Sequence, residues 1–169
     1  MSISQKLHEA INEQIKHELY SAYLYLSMSN YCETLSLPGF AHWLRLQWQE
    51  ETEHAMKFVD HLNDRGAAVT LQGIDQPPAQ FGGILELFEG VLEHEEMISG
   101  RINDLYELAT TEKDYASSTF LQWFITEQVE EEKNANDIID VLKQIGNDRP
   151  ALVLQDREMA TRQLGAEDA

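Results

Sequence analysis

Five side chains of this sequence, Glu18, Glu51, His54, Glu95 and Glu131, combine donor types and positions that suit a cation. Glu51 and His54 are three residues apart, so on a helix they stand one turn apart beside the same face. The others are remote in sequence but share a setting. Read in alternating steps of four and three, the spacing of a bundle seam, one stretch gives Ile11, Ile15, Glu18, Ala22, Tyr25, Ser29 and Cys32. A second gives Leu44, Trp48, Glu51, Ala55, Phe58 and Leu62, and a third Ile84, Phe88, Val91, Glu95, Ile98, Ile102, Leu105 and Ala109. The fourth is Leu121, Phe124, Gln128, Glu131, Ala135, Ile138, Leu142 and Ile145. Each seam is apolar or small except near its middle, where every one carries a glutamate and the fourth adds Gln128.

A buried carboxylate costs several kcal/mol unless it is paired, and neighbouring carboxylates also repel. No seam contains a lysine or arginine. Four inward acids therefore have two escapes, protonation or bound cations. Carboxylates with one imidazole and no thiolate are hard to borderline donors. Calcium does not ask for the histidine, and a structural zinc site does not need so many oxygens. Four acids supply the charge for two divalent ions, which bridging carboxylates hold about 4 Å apart. Iron or manganese fits best, although zinc and copper also bind such donors.

The elements that carry these residues are separated by glycine and proline. The sequence predicts helices over about 4–33, 38–65, 84–111 and 114–145, and a shorter one over about 151–164 after the N-D-R-P stretch. Pro38 opens the second, Gly66 closes it, and Asp114 is the expected N-cap of the fourth. No segment alternates as a half-buried strand does. The first two helices and the next two are joined by short turns, which make antiparallel hairpins. Residues 66–83 form a loop that spans roughly 50 Å when extended, more than the roughly 42 Å of a 28-residue helix. It can cross the whole bundle and leave the second and third helices parallel, so the expected fold is an all-α four-helix bundle with one long crossover. Because the four glutamates sit near mid-helix, they fall in one layer.

Bulk properties narrow the function. The 169 residues fit one domain, residues 1–169, and the net charge is −18. That charge argues against nucleic acid, and suits attraction of cations. No apolar run is long enough to span a membrane, and the N-terminus has no secretory pattern. The single cysteine, Cys32, excludes an internal disulfide and a cysteine-based metal module. The expected location is the cytoplasm.

Glu18 with Tyr25 seven residues on, E-T-E-H at 51–54, His94-Glu95, and Q-W-F-I-T-E-Q-V-E-E-E at 122–132 resemble the non-haem bacterial ferritins. The match runs along the whole chain, crossover and fifth helix included. It implies an up-down-down-up bundle and a homo-oligomeric, 24-subunit shell. Such a shell oxidises Fe(II) with dioxygen or hydrogen peroxide and stores ferric oxide. By resemblance, Glu18, Glu51 and His54 hold the first iron of a di-iron centre, and Glu95 and Glu131 the second, with Glu51 bridging. Gln128 is a weak ligand or a neighbour on the dioxygen side. Tyr25 matches a tyrosine that donates one electron, and Trp123 is another oxidisable neighbour. Glu50, Glu127 and Glu130, with Glu131, match a third iron site toward the inner cavity; spacing alone makes those three a charged face flanking the seam. His42, His61 and His94 are read as surface groups or supports behind the ligands.

Two other readings compete. A haem-containing bacterioferritin places a methionine one residue after the bridging glutamate, where this chain has Thr52, and a second E-x-x-H where it has E-Q-V-E at 127–130. No haem is expected. A non-catalytic metal-binding bundle keeps the acids but shows no turnover.

Overall fold

The computed structural model describes residues 3–165. Those residues form five helices: α1 (Gln5–Thr34), α2 (Pro38–Asp64), α3 (Ile84–Thr111), α4 (Tyr115–Ile145) and α5 (Arg149–Met159). Their ends follow from local chemistry. Ser4 caps α1 by accepting Leu7 N at 3.1 Å, and Asp114 caps α4 by accepting Ser117 N at 3.0 Å. Gly66, at φ 65°, takes the left-handed turn after α2. Both short hairpin turns do this without glycine, at Ser36 (φ 59°) and Lys113 (φ 58°).

The fifth helix differs from its expected bounds. It begins at Arg149, two residues before the expected 151, and ends at Met159 instead of 164. Asp148 caps it through Ala151 N, which places Pro150 in the first turn, where a missing N–H costs nothing.

Pairing across the bundle gives the up-down-down-up topology. Gln47 reaches Glu131 and Arg65 reaches Asp114, so α2 and α4 run antiparallel. The crossover then lies along α1 like a strap. Thr70 N donates to Asn12 Oδ1, Ser27 Oγ to Pro78 O, and the Tyr31 hydroxyl to Gly82 O, each at 2.6 Å. Climbing α1 in this way returns the chain to the end where α2 began, which makes α2 and α3 parallel.

The apolar core comes in two separate clusters. One gathers Tyr25, Met28, Phe40, Leu44, Phe88 and Ile138. The other gathers Ile11, Ile15, Phe58, Leu62, Ile102 and Phe124. Between them, in each of the four long helices, lies the polar layer.

α5 folds back onto the first cluster through Met159 and Leu152, while Val153 and Leu154 face outward. Its Asp156 carboxylate accepts Gly39 N at 2.8 Å and Phe40 N at 3.0 Å, and so caps α2 from 117 residues away. α2 has no side-chain cap of its own. The approach is close enough that a Cβ on Gly39 would lie 1.6 Å from Asp156 O, so only glycine fits there.

Candidate metal centre

Glu18, Glu51, His54, Glu95 and Glu131 are all at most 4% exposed. Glu18, Glu51 and His54 converge: one ligand atom from each lies within 4.8 Å of the others, the only such group of three among the described residues. The His54 Nδ1 to Glu51 Oε2 distance is 3.5 Å. Burial, and then the Lys57 charge, depress the His54 pKa to about 3. The imidazole is thus neutral, and that approach joins two donor atoms instead of an ion pair.

The carboxyls show the opposite shift. Burial, aided by mutual repulsion, raises the pKa of Glu18 to about 7. Burial, then Glu95, Glu18 and Glu131, push Glu51 well above the ordinary range. Burial also raises Glu131, with Glu95 and Glu50 adding to it and Arg162 and Gln47 opposing. For Glu95, burial outweighs the hydrogen bonds from Tyr25 and Gln128. When no cation is bound, burial favours the protonated form of the carboxyls throughout the layer. Glu18 Oε2 and Gln47 Oε1 are buried without a hydrogen-bond partner. An orphaned carboxylate oxygen, raised carboxyl pKa values and a neutral imidazole fit a divalent-cation site, because each ligand gains by exchanging its proton or its void for a metal.

Around this layer the geometry sorts the remaining expected residues. The Tyr25 hydroxyl donates to Glu95 Oε1, and burial raises its own pKa well above the usual value. Gln128 Nε2 donates to Glu95 Oε2 at 3.1 Å and contacts Ser99 Oγ at 3.3 Å, so its amide holds Glu95 in place. His94 is buried, 2.7 Å from Ser21 Oγ and edge-on to the Tyr25 ring. Trp123 lies edge-on to His54 at 5.3 Å. Glu50 is buried against Arg162, 2.6 Å away, whereas Glu127 is half-buried and Glu130 exposed. The structure does not draw these three and Glu131 into one close group of the kind Glu18, Glu51 and His54 make.

Two supports were absent from the sequence reading. Gln14 Nε2 donates to Glu18 Oε1 at 2.7 Å, and Gln47 Nε2 to Glu131 Oε2 at 2.9 Å. Each amide lies four residues before a layer glutamate (Gln14 before Glu18, Gln47 before Glu51), one helical turn away. A buried polar residue at that offset was the available signal.

Fold and site together define a four-helix bundle with a long crossover and a buried carboxylate–histidine layer suited to a metal ion. The ferritin-like domain of the ferritin family matches residues 8–145, and the chain belongs to the ferritin family. It is 40% identical over 165 residues to a bacterial non-heme ferritin of Staphylococcus haemolyticus, covering 98% of this chain and 99% of that protein. A Staphylococcus saprophyticus bacterial non-heme ferritin is 41% identical over 160 residues, covering 95% of this chain and 96% of that one. Among solved structures, an open pore ferritin from the hyperthermophilic archaeon Archaeoglobus fulgidus superposes with a TM-score of 0.95 at 49% identity. That likeness covers 96% of this chain and 100% of the other.

Proposed function

We propose that this protein stores and detoxifies iron as a cytoplasmic ferroxidase. Two Fe(II) ions are its substrate, one taken by Glu18, Glu51 and His54, the other by Glu95 and Glu131, with Glu51 between them. The observation that carries this reading is the buried layer of four carboxylates and a neutral imidazole with no lysine or arginine on its seams. Membership of the ferritin family supports iron as the metal.

The layer contributes charge, position and dryness. Each ion displaces the protons that burial has retained, which neutralises the layer without leaving a bare charge. Paired ions deliver two electrons together: two Fe(II), one dioxygen and two protons give two Fe(III) and one hydrogen peroxide. With hydrogen peroxide as oxidant and two protons, the products are two Fe(III) and two waters. Tyr25 gives one further electron to the oxidant in this reading, its hydroxyl proton passing to Glu95 Oε1, to which it donates a hydrogen bond. Gln128 and Gln47 keep Glu95 and Glu131 aimed inward.

Product ferric oxide is held in a shell of 24 chains, about 470 kDa from subunits of 19.4 kDa. The outward Val153 and Leu154 of α5 suit contacts between subunits, and the A. fulgidus neighbour, an open pore ferritin, suits a hollow assembly. Thr52 turns its hydroxyl back on Trp48 O at 2.8 Å and offers no thioether to a haem.

The test is aerobic Fe(II) addition followed by ferric absorbance. Wild type should oxidise iron well above the rate of free iron, and Glu51→Ala should lose at least about tenfold in rate, or ~1.4 kcal/mol. Equal rates for protein and free iron, with no effect of the substitution, would leave a non-catalytic metal-binding bundle.

A further inference from the structure

Glu50 meets a cation supplied by the chain itself. Arg162, in the segment after α5, places Nη2 2.6 Å from Glu50 Oε2, and both side chains are largely buried. The guanidinium is held on two further sides. Its Nη1 donates to Trp43 O at 3.3 Å, and its central carbon lies 4.4 Å from the Trp43 ring centroid. The backbone is fixed as well, since His42 Nε2 donates to Arg162 O at 3.0 Å. Upstream, Met159 is buried in the core and Asp156 caps α2. A surface arginine free to wander has none of these anchors. A planar guanidinium that is stacked, hydrogen-bonded and ion-paired together is a built contact.

Its position relative to the metal layer gives that contact a consequence. Glu50 precedes Glu51 directly, is not part of the Glu18–Glu51–His54 group, and meets the C-terminal segment through Arg162. The guanidinium thus holds one of the acids expected to attract a third divalent ion.

We infer that Arg162 is an internal monocation at the third metal position, which a divalent ion must displace before it can use Glu50 with Glu127, Glu130 and Glu131. The inference rests on the third-site reading of those acids. It makes the third ion weaker than the first two, and it makes loading of that ion loosen the segment after α5 from Trp43. Arg162 is a positioning residue in this scheme: it sets how many ions the subunit holds without touching the central pair.

The experiment uses the assembled protein, stripped of metal and titrated anaerobically with Zn(II), which binds such donors without redox chemistry. Calorimetry counts ions per subunit, and tryptophan fluorescence reports Trp43, with Trp43→Phe as the control that assigns the signal. Wild type should bind two ions tightly and a third more weakly, the emission changing with the third. In Arg162→Gln the third ion should tighten at least about tenfold and the emission step should vanish. Arg162→Lys, which keeps the charge, should leave the third ion weak.

A third-ion affinity in Arg162→Gln within about twofold of wild type overturns the inference, as does Arg162→Lys behaving like Arg162→Gln. If Arg162→Gln does not assemble, wild-type fluorescence that ignores the third ion overturns it equally. The combined Glu50→Gln and Glu130→Gln variant separates the two layers of the argument. If it loses the third ion while Arg162→Gln changes nothing, only the role of Arg162 fails. If it changes no ion count, the third-site reading fails too.

Discussion

Replacing Glu18 by glutamine should make the metal-free protein more stable while weakening its metal binding. The Glu18 carboxyl has a folded pKa of about 7 against an ordinary 4.5, with burial the leading cause. A folded pKa above the unfolded one means that stability is greatest below about pH 4.5 and declines as pH rises through about 7. At ~1.4 kcal/mol per pKa unit, the displacement costs about 3 kcal/mol at pH 8 and less than about 1 kcal/mol at pH 5. Glutamine removes that penalty at little local cost. Its amide oxygen can still accept from Gln14, as Glu18 Oε1 does at 2.7 Å. Its NH2 takes the place of Oε2, which has no hydrogen-bond partner, and can donate to the neighbouring Glu51 carboxyl. The expected gain at pH 8 is therefore about 2–3 kcal/mol, a rise of roughly 4–12 °C in apparent Tm. Scanning calorimetry of chelator-treated wild type and Glu18→Gln at pH 5 and pH 8 reads the effect, and titration with Zn(II) reads the ligand loss. A variant no more stable than wild type at pH 8, or a gain equal at both pH values, refutes the account of the layer as a store of displaced protons.

Two further expectations concern the supports around the layer. Asp156→Ala leaves Gly39 N and Phe40 N without the acceptor they now have at 2.8 and 3.0 Å. It should cost about 2–3 kcal/mol, measured as a fall in apparent Tm, with Asp156→Asn recovering most of it; a loss below about 0.5 kcal/mol places the capping elsewhere. Tyr25→Phe removes the hydroxyl on Glu95 but no ligand atom. It should bind two Zn(II) ions as wild type does, yet lose the transient tyrosyl signal that rapid-freeze electron paramagnetic resonance detects after aerobic Fe(II) addition. The same signal in both proteins rules Tyr25 out as the electron donor.

Sequence reasoning reached the long helices because their physics is local. Glycine and proline punctuate them, and the seam residues repeat every turn, so α3 needed nothing beyond its own pattern. It failed at the fifth helix because Pro150 was read as the end of a turn, whereas Asp148 makes it the beginning of a helix. The layer glutamates stood out because charge on an apolar stripe is costly in any packing. Gln14 and Gln47 did not, since a seam read one residue per turn samples a narrower arc than the one α2 buries. That helix also buries Trp43, Gln47 and Glu50, beside Leu44 and Glu51. Arg162 and Asp156 were out of reach for a different reason. Each meets its partner more than 110 residues away, and no helical period encodes that distance.

The division of the core bears on how such a site can fill and empty. A layer in which the Glu18 carboxyl alone costs about 3 kcal/mol when deprotonated, and burial also raises Glu51, Glu95 and Glu131, is a poor interior for an empty bundle at neutral pH. Binding an ion only in the folded state returns about 4 kcal/mol at a thousandfold excess over its dissociation constant, so loading one ion changes stability by about as much as the Glu18 carboxyl costs. What stops the empty state from opening lies outside the layer. The apolar clusters close the bundle at both ends. The crossover is tied to α1 at Asn12, Ser27 and Tyr31, and α5 is tied to α2 through Asp156. These anchors use backbone groups and neutral side chains, apart from Asp156, and none of them is a metal ligand. The helix ends can then stay fixed while the middle exchanges protons for ions, which explains why the costly residues sit at mid-helix, one per helix, far from every terminus.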